Sequence, residues 1–182
     1  PSPKWKQKRY KQKWNQYETI NTSIGQGDFL VTPIQLTHAL NTLLNNRKIA
    51  PPSIIQKENF TDEFIESSSI TDNEFIDIVK LGMQQVTGDS GTFRSIAHKN
   101  LNKLAGKTGT AQVFSLKNKD YDEANIEDHL KDHSLFIGYA PFDDPIVSIA
   151  VVIENGGHGS TVAAPIAKKL VDYYFELAMN HE

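Results

Sequence analysis

The sequence predicts an α/β chain of the α+β type: a mainly antiparallel sheet with flanking helices and a C-terminal helix packed on it. Three observations lead there. Apolar residues recur at helical spacing in two stretches between Thr32 and Gly88, switch to strand-like runs from Leu104 to Ile153, and return to helical spacing after Asn155-Gly156-Gly157. No internal repeat interrupts that order, and a length of 182 residues is that of one domain.

The first helix is marked by Thr32-Pro33, with Thr32 as N-cap and Pro33 in the first helical position, followed by Ile34, Leu36, Ala39, Leu40, Leu43 and Leu44. It ends near Asn45-Asn46, before Pro51-Pro52. A second helix runs from Asp72 to Met83, capped by Thr71 or Asp72 and released by Gly88. Three strands follow. Leu104 to Phe114 is rich in β-formers and small residues, Ser134 to Ala140 alternates, and Ile146 to Ile153 is a buried-strand run. The linker Pro141-Phe142-Asp143-Asp144-Pro145 is short enough to force the last two into an antiparallel hairpin. A short helical stretch is expected around Asn125 to Leu130. In the last helix Ile166, Leu170, Val171, Tyr174, Leu177 and Ala178 form one apolar stripe, with Pro165 in its first turns.

Composition narrows the chemistry. With no Cys, a thiol nucleophile, a thiolate zinc finger and a disulfide scaffold are excluded. The run Ile146 to Ile153 is far short of the ~20 apolar residues a bilayer span needs, and residues 1 to 20 lack the apolar core of a signal peptide, so no membrane insertion is expected of the given residues.

The net charge of −3 hides two blocks of opposite sign. Lys4, Lys6, Lys8, Arg9, Lys11 and Lys13 stand together without an acid, interleaved with Trp5, Tyr10, Trp14 and Tyr17. Such a segment suits an anionic surface, nucleic acid or membrane, or else a solvated strip whose rings pack on the domain below; the absence of a recognition fold around it favours the strip, and no nucleic acid is expected as partner. The acidic stretch from Glu58 to Asp89 lacks calcium-loop spacing and reads as a solvated face.

Several short motifs are weaker than they look. Gly88-Asp89-Ser90-Gly91 copies the surroundings of a chymotrypsin-type nucleophile, but it follows a helix in a mixed chain and reads as a turn. Gly25-Gln26-Gly27 is too short for a dinucleotide fingerprint. His129 and His133 stand four apart, on one face if helical, yet Leu130 replaces the zincin glutamate and no third ligand is evident; no metal and no cofactor is implied.

Lys107-Thr108-Gly109-Thr110 is the informative one. Strand periodicity puts Thr108 and Thr110 on one face, where two hydroxyls and backbone N–H groups converge on a carboxylate, and puts Gly109 on the other, where a neighbouring element can come close. Lys107 adds a positive charge, and a free strand edge can pair with an extended peptide.

The flanks extend the pattern. GKTGTAQVF (Gly106 to Phe114), LKDHSLFIGYAP (Leu130 to Pro141) and IVSIAVVIENGGHG (Ile146 to Gly159), preceded by SIGQGDFLVTPIQL (Ser23 to Leu36) and WKQKRY (Trp5 to Tyr10), resemble the C-terminal part of the penicillin-binding protein 2 family, the class B, elongation-type D,D-transpeptidases of peptidoglycan. Asp132-His133 and Glu154-Asn155-Gly156-Gly157 resemble that type more than its division-specific counterpart.

The family's site has three motifs, Ser-x-x-Lys, Ser-x-Asn and Lys-Thr/Ser-Gly. No serine here has Lys three residues on or Asn two residues on, so only the third motif is present. The resemblance therefore implies that residues 1–182 are the C-terminal portion of one transpeptidase domain, with the nucleophile, membrane anchor and pedestal lying upstream of Pro1. It implies catalytic roles for Lys107 and Thr110 and substrate binding by Thr108, Gly109 and Thr110. It implies peptidoglycan stem peptides and β-lactams as ligands, elongation-complex proteins including a glycan polymerase as partners, and the periplasmic face of the inner membrane as location. The family's sheet has five strands, the first two upstream of the Ser-x-x-Lys helix, so the resemblance implies that Ile146 to Ile153 lacks the neighbour they would supply on its far side, and hence a poorly soluble isolated chain. The rival reading is a non-catalytic binding module that engages elongation-complex partners.

Overall fold

The structure, a computed structural model, describes residues 1–45, 48–49, 52–53, 65–66, 73–113 and 127–180. These fall into two compact units, Pro1–Thr32 and Pro33–Glu182.

The first unit holds two helices that were not predicted, α1 (Pro3–Tyr10) and α2 (Gln16–Ser23). Their signals are local. The Ser2 hydroxyl accepts from the Trp5 N–H with Pro3 in the first turn, and Asn15 with Glu18 three residues on forms a capping box. The basic run from Lys4 to Arg9 thus lies on a helix, with Lys4, Lys8, Arg9, Lys11 and Lys13 exposed. Lys6 is buried and its ammonium lies 2.7 Å from the Glu18 carboxylate, whereas Tyr10 and Tyr17 are exposed. The aromatic rings of α1 pack on each other and on a cation, Trp5 edge-to-face with Tyr10 at 5.5 Å and the Arg9 guanidinium near both.

In the second unit, α3 (Pro33–Leu44) begins at Pro33 as the sequence predicts. A two-residue pair, β1 (Lys48–Ile49) with β2 (Ile65–Glu66), lies beyond it. Helix α4 (Asn73–Val86) matches the second predicted helix; its expected cap at Thr71 or Asp72 lies outside the described residues. The sheet consists of β3 (Ala105–Ala111), β4 (His133–Ala140) and β5 (Val147–Ile153), antiparallel in the order β3-β4-β5. Helix α5 (Ala163–Met179) closes the chain.

Opposed residues of an antiparallel pair share a face, so the register sorts the core into two layers. Phe136, Ala140 and Val151 face α5, joining Phe93, Leu104, Ala163, Ala164, Ala167 and Val171. Ala105, Ile137 and Tyr139 face the other way, onto Leu40 of α3 and Met83 of α4. The sheet is therefore covered on both faces. The fully buried Phe136 ring lies over Gly106 and Gly138, where an added Cβ would meet ring atoms at 2.3 and 2.6 Å. Replacing Phe136 by Ala would cost about 3–5 kcal/mol.

Two expectations need correction. The buried face of α5 is Ala163, Ala167 and Val171, with Phe175 packed against it, while Ile166, Leu170, Tyr174 and Leu177 of the predicted stripe are exposed. Small residues at the start of the helix let its backbone approach the sheet closely, so the larger apolar side chains point away. The helical stretch foreseen near Asn125 to Leu130 is a single 3-10 turn, Asp128–Leu130, and its earlier part lies outside the described residues.

Candidate functional site

Strand β3 is held at both ends. At its start, the Asn100 side chain accepts from the Leu104 N–H at 2.8 Å and donates to the Leu104 carbonyl at 2.9 Å, while the Thr87 hydroxyl donates to the same carbonyl at 2.8 Å. Buried Leu104 thus keeps both backbone groups satisfied where the chain enters the sheet. At the far end, Thr110 stands opposite Ser134 and Thr108 opposite Phe136.

The two threonines share one face of β3 and are half-buried, not sealed in the core. Lys107 is exposed and alternates to the opposite face, but its long side chain folds back so that Nζ donates to the Thr108 carbonyl at 2.6 Å. The ammonium therefore rests on the backbone between the two hydroxyl-bearing residues. Sequence reasoning overlooked Thr92, whose Oγ1 lies 3.2 Å from Thr108 Oγ1. Its signal was present in Gly88-Asp89-Ser90-Gly91, which is the turn that closes α4: the Phe93 N–H bonds back to the Val86 carbonyl at 2.9 Å, and a Cβ on Gly91 would lie 2.1 Å from that carbonyl oxygen. This turn delivers Thr92 to β3, which is its contribution to the site.

The close backbone approach expected at Gly109 is made instead by Gly159. A Cβ on Gly109 would meet only the Cβ of Leu135, at 3.3 Å, whereas one on Gly159 would lie 2.4 Å from the Gly109 carbonyl oxygen and 2.5 Å from that of Leu135. The loop after β5 thus presses on the β3–β4 pair at the Lys-Thr-Gly-Thr segment.

The two histidines are separated by secondary structure. His129 sits in the 3-10 turn near Glu127, and His133 opens β4, its Nδ1 accepting from the Asn155 N–H at 2.9 Å. Among the described residues no cluster of three or more His, Cys, Asp or Glu is placed to hold a metal. Nor is any helix among them long and apolar enough to cross a membrane.

An α+β unit with an antiparallel sheet covered on both faces, presenting Lys-Thr-Gly-Thr on an edge strand, is the architecture of a transpeptidase domain. Residues 5–172 match the penicillin binding protein transpeptidase domain, and the chain belongs to that family. It is 40% identical over 183 residues to the peptidoglycan D,D-transpeptidase MrdA of Haemophilus influenzae, spanning 96% of this chain and 28% of that protein. With MrdA of Salmonella typhimurium it shares 35% identity over 186 residues, 97% of this chain and 30% of that protein.

Among solved structures, Pseudomonas aeruginosa PBP2 in complex with WCK 5153 superimposes with a TM-score of 0.75 at 36% identity, covering 96% of this chain and 37% of that one. Helicobacter pylori PBP2 in complex with MreC gives 0.77 at 27% identity, covering 97% and 31%. The resemblance to penicillin-binding protein 2 and the fold class read from the sequence are therefore both borne out. The chain spans about three-tenths of the length of these curated relatives.

Proposed function

We propose that the protein serves peptidoglycan D,D-transpeptidation and binds penicillin, with β3 gripping the free carboxylate of a stem peptide ending in D-Ala-D-Ala. The observation that carries this reading is the half-buried pair Thr108 and Thr110 on one face of an edge strand, with the Lys107 ammonium folded against the peptide between them. Two hydroxyls and a cation match an anionic chain end.

In the reaction a serine Oγ attacks the penultimate carbonyl. The C–N bond to the terminal D-Ala breaks, D-Ala leaves carrying the proton, and an acyl-serine remains. An amine of a neighbouring stem then attacks the ester and releases the serine; water in its place would give carboxypeptidase activity. Lys107 keeps the site electropositive and hydrogen-bonds toward the serine of the Ser-x-Asn motif. The Thr108 and Thr110 hydroxyls bind the carboxylate, Gly109 spaces them, and the Thr110 N–H forms half of the oxyanion hole. β-Lactams acylate the same serine and present their carboxylate to the same threonines.

No serine in these 182 residues carries either partner motif, which supports the reading of residues 1–182 as the C-terminal portion of one transpeptidase domain whose nucleophile comes from outside them. The substrate places the reaction on the periplasmic face of the inner membrane. A MreC-like protein and a glycan polymerase are the corresponding partners; the H. pylori relative in complex with MreC supports the first.

Fluorescent penicillin followed by denaturing electrophoresis tests the proposal. The intact protein should carry a covalent label and the 182-residue polypeptide none. An unlabelled intact protein would refute the function; a labelled 182-residue band would refute the placement of the nucleophile.

A further inference from the structure

Three consecutive residues at the start of β4 tie down the loop that follows β5. The Gly157 N–H donates to the Asp132 carbonyl at 2.8 Å, the Asn155 N–H to His133 Nδ1 at 2.9 Å, and Ser134 Oγ donates to the His158 carbonyl at 3.1 Å while accepting from the Ala163 N–H at 3.0 Å. Asn155 is the hub of this knot. Its side-chain amide donates to both the His129 and Lys131 carbonyls at 2.9 Å, and its φ of 54° lies in the left-handed region that Asn tolerates and Gly prefers.

The knot sits beside the reactive strand. His133 and Ser134 are the register partners of Ala111 and Thr110. Four residues past Asn155, Gly159 lies so close to the Gly109 and Leu135 carbonyls that no Cβ fits. Gly109 is the peptide unit between the two carboxylate-binding threonines, and β3 has no second strand on its other side among the described residues. Ser134, which binds the loop, shares the face of Thr108 and Thr110, so the loop lies beside the two hydroxyls and fixes the peptide unit between them.

We propose that His133 and Asn155 are positioning residues for the carboxylate grip: by fixing the loop, they hold Gly159 against Gly109 and so aim the Thr108 and Thr110 hydroxyls. His133 acts as an acceptor through Nδ1, which leaves its ring proton on Nε2. The inference rests on the reading of Thr108 and Thr110 as the partners of the substrate carboxylate.

The test compares acylation of the intact protein by a fluorescent penicillin and by its methyl ester, which lacks the anion. The ratio of the two rate constants isolates the grip, because a general loss of folded protein lowers both rates together. His133→Leu and Asn155→Gly should each lower the free-acid to ester ratio about tenfold, the order expected when a reacting group is displaced by a fraction of an ångström. His133→Asn, whose Oδ1 can replace Nδ1 as acceptor, should keep the parent ratio. Should His133→Leu fail to fold, Asn155→Gly decides, since glycine suits the backbone there and only the amide bonds are lost. A parent ratio retained in Asn155→Gly, or lost in His133→Asn as fully as in His133→Leu, overturns the proposal. A parent protein that takes no label from either probe overturns the underlying function instead.

Discussion

Thr108 and Thr110 owe their shared face to the two-residue period of a strand, and their chemistry to standing half-exposed at the edge of a sheet. Under the proposed function, replacing either by Ala removes a donor to the substrate anion, worth about 1.5–3 kcal/mol, so the second-order acylation constant of the intact protein with penicillin should fall roughly 10–100-fold. Thr110→Ser should retain most of it. Gly159→Ala is predicted to destabilise by about 1–3 kcal/mol, because the added carbon meets backbone on both strands. A lower urea midpoint at unchanged slope would register this. Asn100→Ala strips partners from both backbone groups of buried Leu104 and should cost about 2 kcal/mol, read as a lowered thermal midpoint. At this scale the Lys-Thr-Gly-Thr strand was readable from strand periodicity together with its flanking sequences. Thr92 and Gly159 were not, because each reaches β3 through a turn whose path only folding defines.

Among the elements, α1 and α2 depend on ionisation. Hydrogen bonds from the Lys6 ammonium and then the Asn15 N–H hold the Glu18 carboxyl below the ordinary glutamate range. A carboxyl lowered in the native state contributes stability that is complete above its unfolded value, declines as the pH falls below it, and vanishes under the lowered native value. Acidification through the ordinary glutamate range should therefore lower the amide protection factors of residues 3–23, taken relative to intrinsic exchange at each pH, and Glu18→Gln should flatten that dependence. An unchanged profile in Glu18→Gln would show that another group controls it. Both helices had sequence signals, Ser2-Pro3 and Asn15 with Glu18, obscured by the density of charge around them. Helix α5 shows the converse: its large apolar residues suggested the buried face, yet close packing selected the alanines.

For the whole molecule, the sheet ends at β5, a strand hydrogen-bonded only to β4 among the described residues, while α5 exposes Leu170 and Tyr173 at 52% and 58%. An open apolar strand edge beside an uncovered apolar helix face favours self-association. The 182-residue polypeptide on its own should sediment as concentration-dependent oligomers; a clean monomer would contradict this. The amino-acid sequence by itself determined the family, through the resemblance of its contiguous segments, and the order and type of the main elements in the sheet region with the strand bearing Lys107, Thr108 and Thr110, through short-range periodicity. Only the tertiary structure decided which face of α5 is buried, that Gly159 rather than Gly109 makes the close approach, and that Asp132-His133 and Asn155 belong to one knot. Each of these depends on segments distant in the chain meeting in space, and no local pattern encodes such a meeting.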